Sequence, residues 1–138
     1  MQNILELPTE LYGVQRVDLN SSPEDLLNSF DAEALIKAHK CFETKDNYER
    51  IVLHKTEDIE IVFCHWKENN ESAPHFHPEV ECWFKCLRGE LTEFRGEEEK
   101  VTKITKGNIA HINDSFGGHQ ISNKTNKCTF TLHLYKKR

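Results

Sequence analysis

The stretch PHFHPEVECWFKCLRGE, residues 74–90, decides how the sequence is interpreted. Two histidines, His75 and His77, stand two positions apart, Cys82 follows five residues later, and Gly89 closes the run. Side chains two apart on a strand point to the same face, so these imidazoles could bind one metal ion. The pair alone is a weak signal, because the chain has eight histidines and chance often supplies such spacing.

The sequence around this stretch has the period of a β protein. From about residue 48 onward apolar residues alternate with polar ones in short runs separated by turns such as RGE, KGN and SFGG. Many short strands at close spacing predict an all-β sandwich or barrel. The predicted strands are ERIVLH (49–54), IEIVFCHW (59–66), VECWFKCL (80–87), LTEFR (91–95), KVTKIT (100–105), IAHI (109–112), HQIS (119–122) and CTFTLHLY (128–135).

The first 45 residues predict helices instead. Ser22 is a helix cap, Pro23 stands at the first helical position, and apolar residues follow at helical spacing. Asp31 is placed to begin a second short helix. We expect these helices to cover one face or an open edge of the β structure.

Composition limits the class of protein. A length of 138 residues predicts one domain, and a net charge of −5 argues against a nucleic-acid partner. No apolar run approaches the length needed to span a bilayer, and the start lacks the basic flank and apolar block of a signal peptide, so we expect a cytoplasmic protein without a membrane partner. The five cysteines form no CxxC pair, which argues against a structural zinc site and predicts reduced thiols.

Two further segments carry candidate site residues. His119 follows a Gly-Gly turn at the start of a strand, where it could be the third ligand of a metal site. In CTFTLHLY the residues Thr131, His133 and Tyr135 share one face, which borders either solvent or a polar cavity. The remaining histidines are interpreted as structural: His39, His54, His65 and His111.

These segments together resemble the cysteine dioxygenases of the cupin superfamily. His75-x-His77 followed by position 82 and Gly89 has the spacing of the first cupin motif, with Cys82 where most cupins carry glutamate. Glu81 is the alternative for that glutamate, but Gly89 would then stand one position late. The segment INDSFGGHQISN, ending beyond His119, is similar to the second motif.

Three more segments extend the resemblance over about residues 45–135. NYERIVL is similar to the family's Y-x-R segment and contains Arg50. Trp66 stands nine residues before His75, as the family's tryptophan does, and LHLY matches its histidine and tyrosine. The family usually has serine at the position of Thr131, and both residues offer a hydroxyl.

The resemblance implies a cupin-type jelly-roll barrel, also called a double-stranded β-helix, with short N-terminal helices. Residues 1–138 would form a single cupin domain, with a helical segment at 1–45 and the barrel at 46–138. Iron(II) would be held by His75, His77 and His119. A thioether between Cys82 and Tyr135 would form a protein-derived cofactor.

The resemblance also implies roles for the remaining site residues. Arg50 would bind the substrate carboxylate, and Tyr135 would offer its phenol to that carboxylate or to oxygen. Thr131 and His133 would orient the phenol, with Trp66 supporting them.

The implied activity is oxidation of a small-molecule thiol. L-cysteine and O2 would give cysteine sulfinic acid, two steps up the sulfur oxidation ladder, in a monomeric enzyme of cysteine catabolism. One alternative is a dioxygenase for another thiol such as 3-mercaptopropionate, whose relatives carry glutamine at the position of Arg50. The other is a non-catalytic metal-binding cupin, since KKR follows Tyr135 where mammalian-type members of the family have a serine–proline pair.

Overall fold

The computed structural model describes residues 3–39, 48–68, 70–71, 80–95, 100–112 and 119–137. The chain divides into two units, Met1–Glu43 and Thr44–Arg138. His75 and His77 lie outside the described residues, and for His119 only the backbone is described.

Over residues 3–39, the described part of the first unit, the chain forms three helices and a small hairpin. The helices are α1 (Thr9–Tyr12), α2 (Pro23–Asn28) and α3 (Ala32–His39), and the strands β1 (Ile4–Glu6) and β2 (Arg16–Asp18) pair antiparallel. Ser22 Oγ accepts a hydrogen bond from the Asp25 amide at 3.3 Å, which confirms the predicted cap. The carboxylate of Asp31 caps α3 in the same way, accepting from the Ala34 amide at 3.2 Å. The hairpin was not predicted, because three-residue strands are too short to show a period of two.

The second unit is built from strands, and all eight predicted strands are present with ends shifted by at most two residues. A two-residue strand, β5, adds to them between the predicted strands IEIVFCHW and VECWFKCL. The strands are β3 (Tyr48–Lys55), β4 (Ile59–Trp66), β5 (Asn70–Glu71), β6 (Val80–Arg88), β7 (Glu90–Arg95), β8 (Lys100–Thr105), β9 (Ile109–Ile112), β10 (His119–Asn123) and β11 (Thr129–Lys137).

These strands form two antiparallel sheets. One has the order β3-β4-β11-β6-β9 and the other the order β5-β10-β7-β8. Buried side chains from both sheets form one interior cluster, which includes Cys64 and Phe84 from the first sheet and Leu91 and Ile121 from the second. The two sheets therefore face each other across a shared core, as predicted for an all-β barrel or sandwich.

The turn at Gly89 carries the chain from one sheet to the other. Gly89 has a φ of +92°, a left-handed conformation that favours glycine. A Cβ at this position would collide with the Thr129 hydroxyl and lie 3.0 Å from the Thr129 Cα. Glycine is therefore required here both by the backbone conformation and by the close approach of β11.

Candidate functional site

The central strand β11 supplies a line of polar side chains to the interior. Thr131 is fully buried and His133 is 7 % exposed, whereas Tyr135 near the strand end is half-buried. Tyr135 also packs against the interior cluster. The sequence left open whether this polar face borders solvent or a polar cavity, and in the structure the face is turned to the interior.

A hydrogen-bonded chain joins three of the predicted site residues. The Trp66 indole N–H donates to Thr131 Oγ1 at 2.8 Å, and the same hydroxyl is 2.7 Å from His133 Nε2. The hydroxyl accepts from the indole and either donates to Nε2 or accepts a second hydrogen from it, so the direction of this contact is set by the His133 tautomer. The imidazole also stacks on Phe84 at 5.0 Å between ring centroids, so its plane is fixed by packing as well.

Cys82 and Tyr135 face each other on adjacent strands. They are direct partners in the register of β6 and β11, and the Tyr135 hydroxyl is hydrogen-bonded to the Cys82 thiol. Cys82 is 1 % exposed, and burial raises the pKa of its thiol far above the ordinary value, with Cys64 and Glu93 adding to the increase. The structure thus brings together the two residues of the predicted thioether and keeps the thiol protonated.

Arg50 lies over the ring of Tyr135. Its guanidinium carbon is 5.7 Å from the ring centroid, within the range of a cation–π contact. The guanidinium also forms an ion pair with Glu60, which is the direct partner of Tyr135 on β4. Burial alone would lower the pKa of Arg50, but the Glu60 carboxylate outweighs this and the pKa is raised.

Glu60 was not predicted from the sequence. Lys55 Nζ lies 3.5 Å from the second carboxylate oxygen of Glu60, so this carboxylate joins two cations. The signal was present in IEIVFCHW, where alternation puts Glu60 on the same strand face as Val62 and Cys64 of the interior cluster. A cavity of about 370 Å³ opens beside it, lined by the β3–β4 turn, Val80, Tyr135 and Lys137.

Two more reactive groups of the second unit are buried. Burial raises the pKa of the Cys64 thiol to about 12, while Arg50 and a hydrogen bond with Thr131 act in the opposite direction. Glu93 on β7 is 1 % exposed and lines another cavity of about 370 Å³ with residues of β8 and β9. The alternation of LTEFR indicates that Glu93 is turned to the interior, because it lies on the same strand face as the buried Leu91.

The predicted metal ligands stay predictions. His75 and His77 fall outside the described residues, and His119 opens β10 opposite Arg95 in the register. Among the residues that the structure describes, no group of three or more His, Cys, Asp or Glu side chains could hold a metal ion.

Three of the histidines interpreted as structural, His39, His65 and His111, have aromatic or hydrogen-bonding neighbours. His39 Nε2 is 2.6 Å from the Tyr12 hydroxyl within the first unit. His65 stacks on Phe130 at 4.8 Å between centroids, and His111 stacks on Trp83 at 4.5 Å.

Comparison with curated proteins gives a partial match. No family model matches the chain. Cysteine dioxygenase type 1 from Rattus norvegicus and from Homo sapiens are each 31 % identical over 86 residues, covering 54 % of this chain and 42 % of the relative. The chain therefore matches less than half the length of these curated relatives.

Comparison with solved structures identifies the fold. The chain is similar to the cupin domain of Cnp3 from Schizosaccharomyces pombe, with a TM-score of 0.64 at 9 % identity over 99 % of this chain and 88 % of that one. It is also similar to a cupin superfamily protein from Desulfitobacterium hafniense (TM-score 0.63, 10 % identity, 99 % of both chains). A double-stranded β-helix protein from Klebsiella pneumoniae gives 0.62 at 22 % identity over 70 % of this chain and 82 % of that one. The predicted cupin-type jelly roll is confirmed.

None of the described helices is both long and apolar enough to span a bilayer.

Proposed function

We propose that this chain is an iron(II)-dependent thiol dioxygenase that converts L-cysteine and O2 into cysteine sulfinic acid. The observation that carries the proposal is the group around Tyr135: Cys82 hydrogen-bonded to its hydroxyl, Arg50 over its ring and the His133–Thr131–Trp66 chain behind it. The partial similarity to cysteine dioxygenases supports the same activity.

The metal in this proposal is ferrous iron held by His75, His77 and His119. Three neutral imidazoles are a donor set that suits a divalent transition metal. The position of His119 agrees with a ligand role, because it begins β10 two residues before Ile121 of the interior cluster. Iron held there would supply the redox chemistry for oxidising the substrate sulfur with O2.

Arg50 and Tyr135 bind the substrate. The guanidinium offers a charge-assisted contact to the carboxylate of L-cysteine, and the phenol beside it offers a hydrogen bond to the same group. Holding the carboxylate at this end of the barrel fixes the direction in which the thiol points into the interior. Such orientation is a large part of the rate of a reaction between two bound reactants.

His133, Thr131 and Trp66 hold the phenol in place. Their hydrogen bonds are buried, and the His133 ring lies 6.0 Å from the Tyr135 ring in a stacked arrangement. Support of this kind keeps a functional side chain within a narrow range of positions. These three are positioning residues in the proposal, since they act through Tyr135.

The Cys82–Tyr135 thioether is the second part of the proposal. Forming the C–S bond would break the thiol S–H bond and one ring C–H bond, and O2, as the two-electron oxidant, would take up both hydrogens as hydrogen peroxide. The link would restrain the phenol permanently at the place where the hydrogen bond now holds it. The raised pKa of Cys82 means that the thiol, not the thiolate, is the resting form.

A product assay tests the function. The purified protein is loaded with ferrous iron and supplied with L-cysteine in air, and cysteine sulfinic acid is measured together with O2 uptake. Stoichiometric sulfinic acid supports the proposal. Oxidation of 3-mercaptopropionate in strong preference to cysteine would refute the substrate, and bound iron without O2 uptake would indicate a metal-binding cupin.

Iron content tests the ligand set. His119→Ala is expected to lose bound iron, while His111→Ala, on the edge strand β9, retains it as the matched control. Retained iron in His119→Ala would remove this residue from the set.

A further inference from the structure

The arginine that the proposed function assigns to the substrate carboxylate already has a carboxylate partner. Glu60 pairs with Arg50, and its second oxygen is within 3.5 Å of Lys55 Nζ. The Glu60 side chain is 18 % exposed and that of Arg50 is 40 % exposed, so the pair is partly shielded from solvent.

This pairing affects thiols differently according to their charge. A thiol with a carboxylate must displace Glu60 from Arg50 before it makes the same contact, so the strength of the existing pair is subtracted from its affinity. A thiol with an ammonium group and no carboxylate leaves the pair intact, and the Glu60 charge attracts it.

We propose that Glu60 is a specificity-determining residue that competes with the substrate carboxylate for Arg50. The inference rests on the proposed function, in that the site binds thiols beside Tyr135. In this arrangement Glu60 reduces the preference for L-cysteine over cysteamine, which is the same aminothiol without the carboxylate.

The surroundings of Glu60 allow it to leave Arg50. Lys55 already contacts its other oxygen and remains as a partner when the guanidinium turns to a substrate. The cavity of about 370 Å³ lined by Glu60 and Tyr135 gives the displaced carboxylate room to move. The exchange therefore replaces one ion pair by another and leaves no charge unpaired.

The test compares Glu60→Gln with wild type. Binding of L-cysteine and of cysteamine to the iron-loaded protein is measured by calorimetry without oxygen, so that the readout is affinity and not turnover. We expect the ratio of cysteine affinity to cysteamine affinity to rise about three- to fivefold, the size of an ion pair that is partly screened by solvent. Glu60→Asp, which keeps the charge on a shorter side chain, is expected to give an intermediate ratio.

Glu57→Gln is the matched control, because Glu57 lines the same cavity and the change removes the same charge but leaves the Arg50–Glu60 pair. If Glu57→Gln and Glu60→Gln change the affinity ratio equally, the effect comes from the loss of a negative charge beside the cavity and not from the pair with Arg50, and the proposal is overturned. An unchanged ratio in Glu60→Gln would overturn it as well.

The product assay on the same proteins separates this inference from the proposed function. A changed affinity ratio without sulfinic acid refutes the dioxygenase activity and supports the role of Glu60. Sulfinic acid with an unchanged affinity ratio supports the dioxygenase activity and refutes the role of Glu60. If neither thiol binds, both the proposed function and the role of Glu60 are refuted.

Discussion

Replacing Thr131 by valine isolates one hydroxyl in the interior. Valine has nearly the same shape as threonine, so the packing of β11 is preserved and only the hydrogen-bonding group is lost. That hydroxyl accepts from Trp66 Nε1 at 2.8 Å and is 2.7 Å from His133 Nε2. All three residues are buried, with exposures of 0 %, 4 % and 7 % for Thr131, Trp66 and His133. Water therefore has little access to replace the missing group.

The size of the effect follows from the two atoms that lose this partner. Each buried polar atom deprived of a hydrogen bond costs about 1–3 kcal/mol, so the loss at two atoms is expected to lower the free energy of unfolding of Thr131→Val by about 2–6 kcal/mol. Valine has a slight advantage as a strand residue, which offsets less than about 1 kcal/mol of this. Thr131→Ser is the matched control, since it keeps the hydroxyl and removes only a methyl group, at a cost of about 1 kcal/mol.

Urea denaturation followed by fluorescence measures both variants. The midpoint and slope are compared at one pH, and equal slopes show that the unfolded states are comparable. We expect the valine variant to be clearly less stable than the serine variant, and also to form less sulfinic acid per unit of folded protein. Equal stability of the two would refute the argument that the hydroxyl joins Trp66 and His133.

Four other substitutions test the turn between β6 and β7, the contact with the substrate carboxylate, a buried histidine and the thioether. Gly89→Ala lowers the free energy of unfolding by about 3 kcal/mol or more, because strain and a collision with β11 combine. Arg50→Gln raises the KM for L-cysteine about tenfold in steady-state O2 uptake, because a charge-assisted contact is lost. Burial lowers the pKa of His65 in the folded state, so the unfolded state takes up the proton first and wild type loses stability as the pH falls. His65→Phe removes this titration and therefore flattens the dependence of stability on pH between about 7 and 5. Cys82→Ser abolishes the loss of two hydrogens that mass spectrometry detects when the thioether forms.

Each of these predictions has a result that would contradict it. Gly107 has a φ of +90° and open space around its Cβ position, so Gly107→Ala measures the strain alone, and an equal cost at both glycines would exclude the collision. Arg88→Gln, at the exposed end of β6, should leave the KM unchanged. Parallel stability profiles of wild type and His65→Phe would contradict the pH argument. Cys64→Ser should still lose two hydrogens. If that variant keeps them, Cys64 and not Cys82 forms the thioether.

The sequence predicts the strands of the second unit well, because short apolar runs between turn residues mark them, and the inner strands β4, β6 and β11 bury most of their side chains. Alternation is clearest in CTFTLHLY, which becomes the central strand β11, and the register of β11 with β6 then brings Cys82 opposite Tyr135. The strand β5 and the hairpin of β1 and β2 are only two or three residues long, so their pairing is decided by tertiary contacts that no local pattern encodes.

The residues of the site were predictable only where a motif names them. Trp66, Thr131 and His133 come together as the resemblance implied, whereas Glu60 and Glu93 belong to none of the motifs that carry the resemblance. A charged residue in an alternating strand is usually assigned to solvent. Its burial is decided by the opposite sheet, as for Glu93, or by a distant partner, as for the pair between Glu60 and Arg50.

The residues of the site are divided between the inner strands of the five-stranded sheet and its edge strand β3. Trp66, Thr131, His133 and Cys82 lie on β4, β11 and β6, the three inner strands of the five-stranded sheet, each held by a neighbour on both sides. Arg50 lies on β3, an edge strand whose register with β4 shifts between Val52 and His54. Bulges are over-represented at sheet edges and beside active sites, where they change the direction in which a side chain points. The chemistry of the phenol can therefore stay constant while the contacts of the substrate tail change, and the Arg50–Glu60 pair is the place where this fold can adjust its choice of thiol.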